Sequence, residues 1–105
     1  AAAIAARCPV IAKVHTSHPT TSRLLAEAAH AAAEGVGLPS GAVQVLYRMD
    51  HALSRRLIED PAVSAVGFTG SRSAGMEIKD AADRLGKPVY LEMSSVNPVF
   101  VLEGA

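Results

Sequence analysis

An α/β fold built on parallel strands is predicted by three features of this sequence. Short β-like runs alternate with amphipathic helical patterns, those patterns stop at glycine or proline, and half of the 105 residues are hydrophobic. The length suits one modest domain. Ten basic and ten acidic residues cancel, and no long run of like charge occurs. No net field therefore draws the chain to nucleic acid or to an anionic membrane, and recognition has to come from local sites.

Taken in order, the opening AAAIAARCPV is too short to span a bilayer, lacks the charged start and long apolar run of a secretory signal, and reads as the tail of a helix entering a strand. The first strand is expected from Pro9 to Val14, where an opening proline sacrifices no ladder donor. The first full helix, Pro19 to Glu34, places Leu24, Leu25, Ala28, Ala29 and Ala32 on one stripe and stops at Gly35 and Gly37. A second strand, Ala42 to Leu46, leads to a short helix from His51 to Glu59. That helix has Asp50 as its N-cap, an apolar face of Leu53, Leu57 and Ile58, and a stop before Pro61.

The third strand, Ala62 to Phe68, runs into a helix expected from Ser71 to Leu85. Ala74, Ile78, Ala81, Ala82 and Leu85 should face the sheet, with Gly86 past the helix end. Pro88 to Glu92 forms the fourth strand. The apolar run Pro98 to Leu102 is a candidate fifth, confined by its proline to a strand start or an edge. Both chain ends read as those of an excised fragment. Apolar faces that would meet the rest of a larger domain then lie open, so marginal stability or self-association is expected.

The chemistry concentrates in AVGFTGSRSAG, where an apolar strand runs into Gly70, Ser71 and a helix, with Gly75 completing a GxxxxG spacing. Unpaired N–H groups at a helix start, together with the positive end of its dipole, make such a turn an anion site when it is uncrowded. The spacing is neither the GxGxxG fingerprint nor a P-loop. On the residues alone, phosphate binding and a plain strand-to-helix turn both stand. Lys13 likewise reads either as a snorkelling surface lysine or as the partner of an anion. Four histidines, His15, His18, His30 and His51, show no HExxH arrangement, and no metal site is expected. The lone cysteine, Cys8, has no partner for an internal disulfide, which points to a reducing compartment with cytoplasm as the default.

FTGS at Phe68–Ser71, Gly75 four residues later, and LEMSSVNPV some twenty residues on resemble the aldehyde dehydrogenase superfamily. The likeness runs through the whole chain. A lysine-bearing strand at Ile11 to Val14, a Gly-Leu-Pro-x-Gly turn at Gly37 to Gly41, FTGS, and a Leu-Glu segment reaching Pro98 follow one another in the family's order. The resemblance implies a Rossmann-like parallel sheet with flanking helices, here a partial cofactor domain over residues 1–105 that binds NAD(P) without the usual fingerprint.

It also implies roles for single residues. Lys13 matches the lysine that contacts the adenosine ribose. Three residues beyond it, NAD-preferring members carry a glutamate that holds both ribose hydroxyls; this chain has Thr16, which leaves room for a 2′-phosphate and makes NADP the expected cofactor, with NAD as the alternative. Arg48 supplies the positive partner at the adenosine end or is an ordinary loop arginine; His15 and His51 lie in the same region, and His15 with His18 shapes the loop after Lys13. Phe68, Thr69, Gly70, Ser71 and Gly75 form the pyrophosphate-binding turn. Glu92 matches the general base that activates water to hydrolyse the thioester.

Met93-Ser94-Ser95 departs from the usual Leu-Gly-Gly and resembles the NADP-using branch that oxidises 2-oxoglutarate semialdehyde (2,5-dioxovalerate) and related fatty aldehydes. Cys8 precedes Lys13, whereas the family's nucleophile follows the general base, so Cys8 is expected to be a small buried structural residue. The nucleophile and the oxyanion asparagine are expected outside these 105 residues, the chain alone is expected to be inactive, and the parent is expected to be a homo-oligomer acting on a small aldehyde. The competing readings are a non-catalytic nucleotide-binding or interaction module, a fatty aldehyde dehydrogenase of the same branch, and an acyl-phosphate reductase, which a match at Glu92 argues against.

Overall fold

A computed structural model describes residues 2–95 and 97–104. Along the chain lie α1 (Ala2–Ala5), β1 (Val10–Lys13), α2 (Pro19–Gly35), β2 (Val43–Leu46), α3 (His51–Glu59), β3 (Val66–Gly70), α4 (Arg72–Asp83) and β4 (Val89–Met93). They form two compact units divided after Asp50. Each unit contains one parallel strand pair joined by a helical crossover, as the alternating pattern requires.

In the first unit β1 pairs with β2 from Val10↔Val43 to Lys13↔Leu46. Backbone bonds from Val10 N to Ala42 O (2.9 Å) and from Val14 N to Leu46 O (3.0 Å) extend the ladder at both ends. α2 begins at Pro19, whose missing N–H costs nothing in a first turn. It ends at Gly35, and just beyond it Gly37 takes φ 71° while Leu38 N returns to Ala33 O at 2.9 Å, the closing bond of a Schellman turn.

The helix packs on β2 through its small residues. Ala26 is buried and Ser22, Ala29 and Ala33 are half-buried, a stripe at i, i+4, i+7 and i+11. The predicted stripe is therefore displaced, with Leu24 and Leu25 at 55% and 67% exposure. A one-carbon side chain lets the helix approach the sheet closely, and this helix has enough alanine to offer that face instead. His30 reinforces the contact by donating from Nε2 to Val43 O at 3.0 Å.

In the second unit β3 pairs with β4 from Val66↔Val89 to Gly70↔Met93. α4 covers one face of this pair with Gly75, Ala81 and Ala82, the last fully buried, and α3 packs on α4. Gly86 at φ 64° and the bond from Lys87 N to Ala82 O (3.0 Å) end α4 in the same Schellman geometry. Leu85, expected to face the sheet, is instead 48% exposed in this closing turn.

β3 starts four residues later than predicted because Ala62 and Val63 are already committed. Ala62 N donates to Asp60 Oδ1 (2.8 Å) and Val63 N donates to Asp60 O (3.0 Å), forming a turn around Pro61. Lys87 completes that turn, its half-buried ammonium donating to Ile58 O (2.7 Å) and Asp60 O (2.6 Å) at the negative end of α3. The segment Pro98–Leu102, a candidate strand, has no regular structure and stays exposed, since Pro98 lacks a donor and no described strand pairs with it.

Ion pairs Arg23–Glu27, Arg55–Glu59 and Lys79–Asp83 lie on exposed helical faces at i,i+4 spacing, which accounts for several of the cancelling charges without engaging a site. Tyr90 and the run Val99 to Leu102 present large apolar side chains to solvent. No helix among the described residues is long and apolar enough to cross a membrane.

Lys87→Met keeps the aliphatic stem and removes both bonds to the end of α3. The substitution is expected to cost about 1–3 kcal/mol and to speed amide hydrogen exchange at Ala62 and Val63 more than at the centre of α4. Uniform exchange across both segments would show that Lys87 does not fasten this turn.

Candidate functional site

Alternation along β3 and β4 sorts their side chains onto two faces. Val66, Phe68, Val89, Leu91 and Met93 are half-buried, while Gly67, Thr69, Tyr90 and Glu92 are exposed. Glu92 stands directly opposite Thr69 in the ladder, and the Thr69 hydroxyl donates to Glu92 Oε2 at 3.4 Å. A shallow open depression of about 370 Å³ runs over this region, lined by Gly67, Phe68, Thr69, Tyr90, Leu91 and Glu92.

Where β3 gives way to α4, Ser71 is the N-cap, in extended backbone with its Oγ accepting from Ala74 N at 3.3 Å. Ser73 Oγ lies 3.3 Å from the same oxygen. The first turn-closing bond of α4 runs from Gly75 N to Ser71 O (3.0 Å), so the N–H groups of Arg72 and Ser73 precede the helical ladder and point along the positive end of the dipole. The two glycines have a concrete steric role. A Cβ on Gly70 would come within 2.7 Å of the Phe68 ring, and one on Gly75 within 2.5 Å of Met93 Sδ and 3.4 Å of the same ring. Phe68 thus lies between the two glycines beneath the first turn of α4.

Three of the other sequence-predicted residues, His15, Thr16 and Arg48, gather beyond the carboxyl ends of β1 and β2. His15, Thr16, Pro19, Tyr47 and Arg48 line a cavity of about 450 Å³. Ser17 N donates to His15 Nδ1 at 3.2 Å; with that nitrogen accepting, a neutral His15 ring carries its proton on Nε2 and presents a donor there. The rings of His15 and His18 are 6.0 Å apart and tilted. Lys13 is the last residue of β1, opposite Leu46 and exposed, but is not among the residues lining the cavity. His51 begins α3, in the second unit.

Cys8 departs from expectation. It is exposed, in the loop ahead of β1, with its thiol 3.6 Å from Ala6 O. Proline at position 9 and the turn that closes α1 through Cys8 N and Ala3 O (2.9 Å) hold it away from the small core. Sequence reasoning passed over Pro19 and Tyr47 as cavity walls and Met93 as the neighbour of Gly75. Period-two alternation beyond Leu46, and the register of β4 against β3, carry those signals.

The aldehyde dehydrogenase family model matches residues 1–105. The chain belongs to the aldehyde dehydrogenase family. It is 44% identical to alpha-ketoglutaric semialdehyde dehydrogenase 2 of Azospirillum brasilense, over all of this chain and 20% of that protein. It is 39% identical to alpha-ketoglutaric semialdehyde dehydrogenase of Acinetobacter baylyi, over 99% of this chain and 20% of the relative. Geranial dehydrogenase of Castellaniella defragrans is 40% identical over the whole chain and 21% of its own length. The chain thus spans about a fifth of the length of these curated relatives.

The close approach of α4 to β4 in this aldehyde dehydrogenase segment rests on Gly75. Gly75→Ala gains about 1 kcal/mol of helix propensity but forces Met93 aside at a cost of about 1–3 kcal/mol. Urea unfolding of Gly75→Ala, Met93→Ala and the double variant is expected to give a coupling of about 1 kcal/mol or more. Strict additivity would mean that Met93 yields freely.

Proposed function

We propose that residues 1–105 are part of the NAD(P)-binding half of an enzyme that oxidises an aldehyde, 2-oxoglutarate semialdehyde foremost, to the carboxylic acid with NADP. The observation that carries this reading is the position of Glu92. It is an exposed carboxylate at the carboxyl end of a parallel strand, on the uncovered face, within reach of water and matching the family's general base. A hydrolytic half-reaction needs such a base, and an acyl-phosphate reductase does not.

NADP supplies the hydride acceptor when bound. The cavity formed by His15, Thr16 and Arg48 fits its 2′-phosphate, because the lining offers an imidazole, a hydroxyl and a guanidinium and contains no carboxylate. The turn at Thr69, Gly70 and Ser71 suits the pyrophosphate, since Gly70 keeps the backbone approachable and the first N–H groups of α4 face outward. Lys13, ending β1, is assigned to the adenosine ribose. Phe68 and Gly75 serve this turn from beneath, by packing.

The choice of aldehyde rests on the two semialdehyde dehydrogenases named above and on Met93-Ser94-Ser95, which resembles the local pattern of that branch. Catalysis by the complete parent needs a thiol nucleophile; exposed Cys8, ahead of β1, is not assigned that role, and the 105-residue chain alone is expected to be inactive. We assign the parent to the cytoplasm, where the exposed Cys8 thiol stays reduced, and to a homo-oligomer.

Formation of reduced cofactor by the complete parent, assayed with 2-oxoglutarate semialdehyde and with NADP and NAD in parallel, tests the reading. Turnover is expected to be faster with NADP, and Thr16→Glu should reverse the preference by roughly tenfold or more through repulsion of the 2′-phosphate. A preference for NAD in the unaltered enzyme would remove the cofactor assignment. Absence of turnover with either would remove the substrate assignment.

A further inference from the structure

The Thr69–Glu92 contact has a chemical meaning that the assignment of Thr69 to cofactor binding leaves unused. The two residues are 23 positions apart in sequence yet direct partners in the β3–β4 ladder, on the face away from α4. Among the described residues lining that depression, the other exposed neighbours are Gly67 and Tyr90. Gly67 has no side chain to offer and Tyr90 lies along the same strand as Glu92, whereas Thr69 stands across the ladder and donates to the carboxylate, so Thr69 is the group placed to orient it across the strand pair. We propose that Thr69 is a positioning residue for Glu92, holding one carboxylate oxygen while the other is left to take a proton from water; this rests on the reading of Glu92 as the general base.

The geometry supports a loose hold. At 3.4 Å the bond is longer than an ordinary O–H···O bond, so it biases the glutamate without locking it. A glutamate side chain has several rotatable bonds, and narrowing its orientations before water arrives removes part of the ordering cost from the reaction itself. Threonine suits the task because its β-branch restricts χ1 and favours the strand, which keeps the hydroxyl aimed across the ladder. In the hydrolysis step the water oxygen bonds to the thioester carbonyl carbon while Glu92 accepts the water proton. The carbon–sulfur bond then breaks, the electron pair leaves with the sulfur of the parent's nucleophilic cysteine, and the carboxylic acid departs.

Thr69→Val preserves the shape and strand preference and deletes only the hydroxyl. In the complete parent, stopped-flow measurement separates the first turnover of reduced cofactor from the steady rate that follows. Thr69→Val is expected to lower the steady rate roughly three- to tenfold, the loss of about one hydrogen bond. At saturating NADP the first-turnover rate should stay within about twofold, as expected for a defect confined to hydrolysis. Thr69→Ser should restore the steady rate, which loss of packing alone would not permit. A raised KM for NADP with an unchanged steady rate would overturn the proposal and leave Thr69 to the cofactor alone, as would failure of serine to rescue. Glu92→Gln is the separate control: if it keeps the full steady rate, the general-base reading fails and the proposal falls with it, whereas loss of that rate with an indifferent Thr69→Val overturns only the positioning role.

Discussion

Parallel pairing of β3 with β4 is the constraint on which the site depends. Parallel strands cannot be joined by a tight turn, so the connection must cross over as a helix, and α4 does so while covering one face of the pair. Because side chains alternate, covering one face decides the fate of every residue on both strands. Phe68 and Met93 become packing for the helix, and Thr69 and Glu92 are left on the open side. The carboxyl ends of both strands also arrive at the same edge. A hydroxyl from the first strand and a carboxylate from the second meet there for that reason, just beside the start of the next helix.

How closely the helices approach is set by their smallest residues. Among the described residues the buried positions are Ala26 in α2 and Gly75, Ala81 and Ala82 in α4, while leucines on α2 and the aromatic ring of Tyr90 remain outside. A core made of methyl groups and a bare glycine removes little apolar surface per residue, of the order of 25 cal/mol for each Å² buried. It compensates with short helix–sheet distances, which aim the first turn of α4 at the strand ends. Polar fasteners supplement this thin core: His30 on Val43 O, and Lys87 on the carbonyls that end α3. Each satisfies a backbone acceptor that the ladders and helices leave over.

The parts of this architecture readable from sequence were those governed by local chemistry. Proline and glycine marked the ends of α2 and α3 to within a residue, Ser71 announced the start of α4, and FTGS with the Leu-Glu segment identified the family. The parts that escaped depend on competition between distant groups. β3 begins late because Asp60 captures the N–H groups that a strand at Ala62 would need, and Lys87, 27 residues away, stabilises that choice. Leucine in α2 was expected inside on hydrophobicity, but closeness of approach favoured alanine. Cys8 was expected inside on size, and the turn ahead of β1 leaves it exposed. The parallel pairing was expected, but the pattern was silent on which strands become neighbours, and these pair as β1–β2 and β3–β4. Among candidate site residues, His15, Thr16 and Arg48 share one cavity, and Thr69 and Glu92 share a bond, whereas Phe68 and Gly75 meet beneath the helix.

In a chain whose charges cancel, selectivity toward a nucleotide depends as much on where carboxylates are missing as on where cations stand. Two like charges about 5 Å apart repel by about 3 kcal/mol at an effective dielectric constant of 20. At an exposed site screening reduces both terms, so an acidic residue at position 16 would oppose a 2′-phosphate about as strongly as one exposed arginine could favour it, by about 1 kcal/mol. In the proposed NADP site Thr16 would remove that opposition, and the Nε2 proton that the Ser17 contact assigns to neutral His15 would add a donor to the same cavity. At Glu92 the proposed logic is reversed: as a general base the carboxylate would be needed as a proton acceptor, and the Thr69 hydroxyl across the strand would orient it without neutralising it. The same fold thus excludes a carboxylate at one strand end and retains one at another, and the chemistry proposed for each follows from that difference.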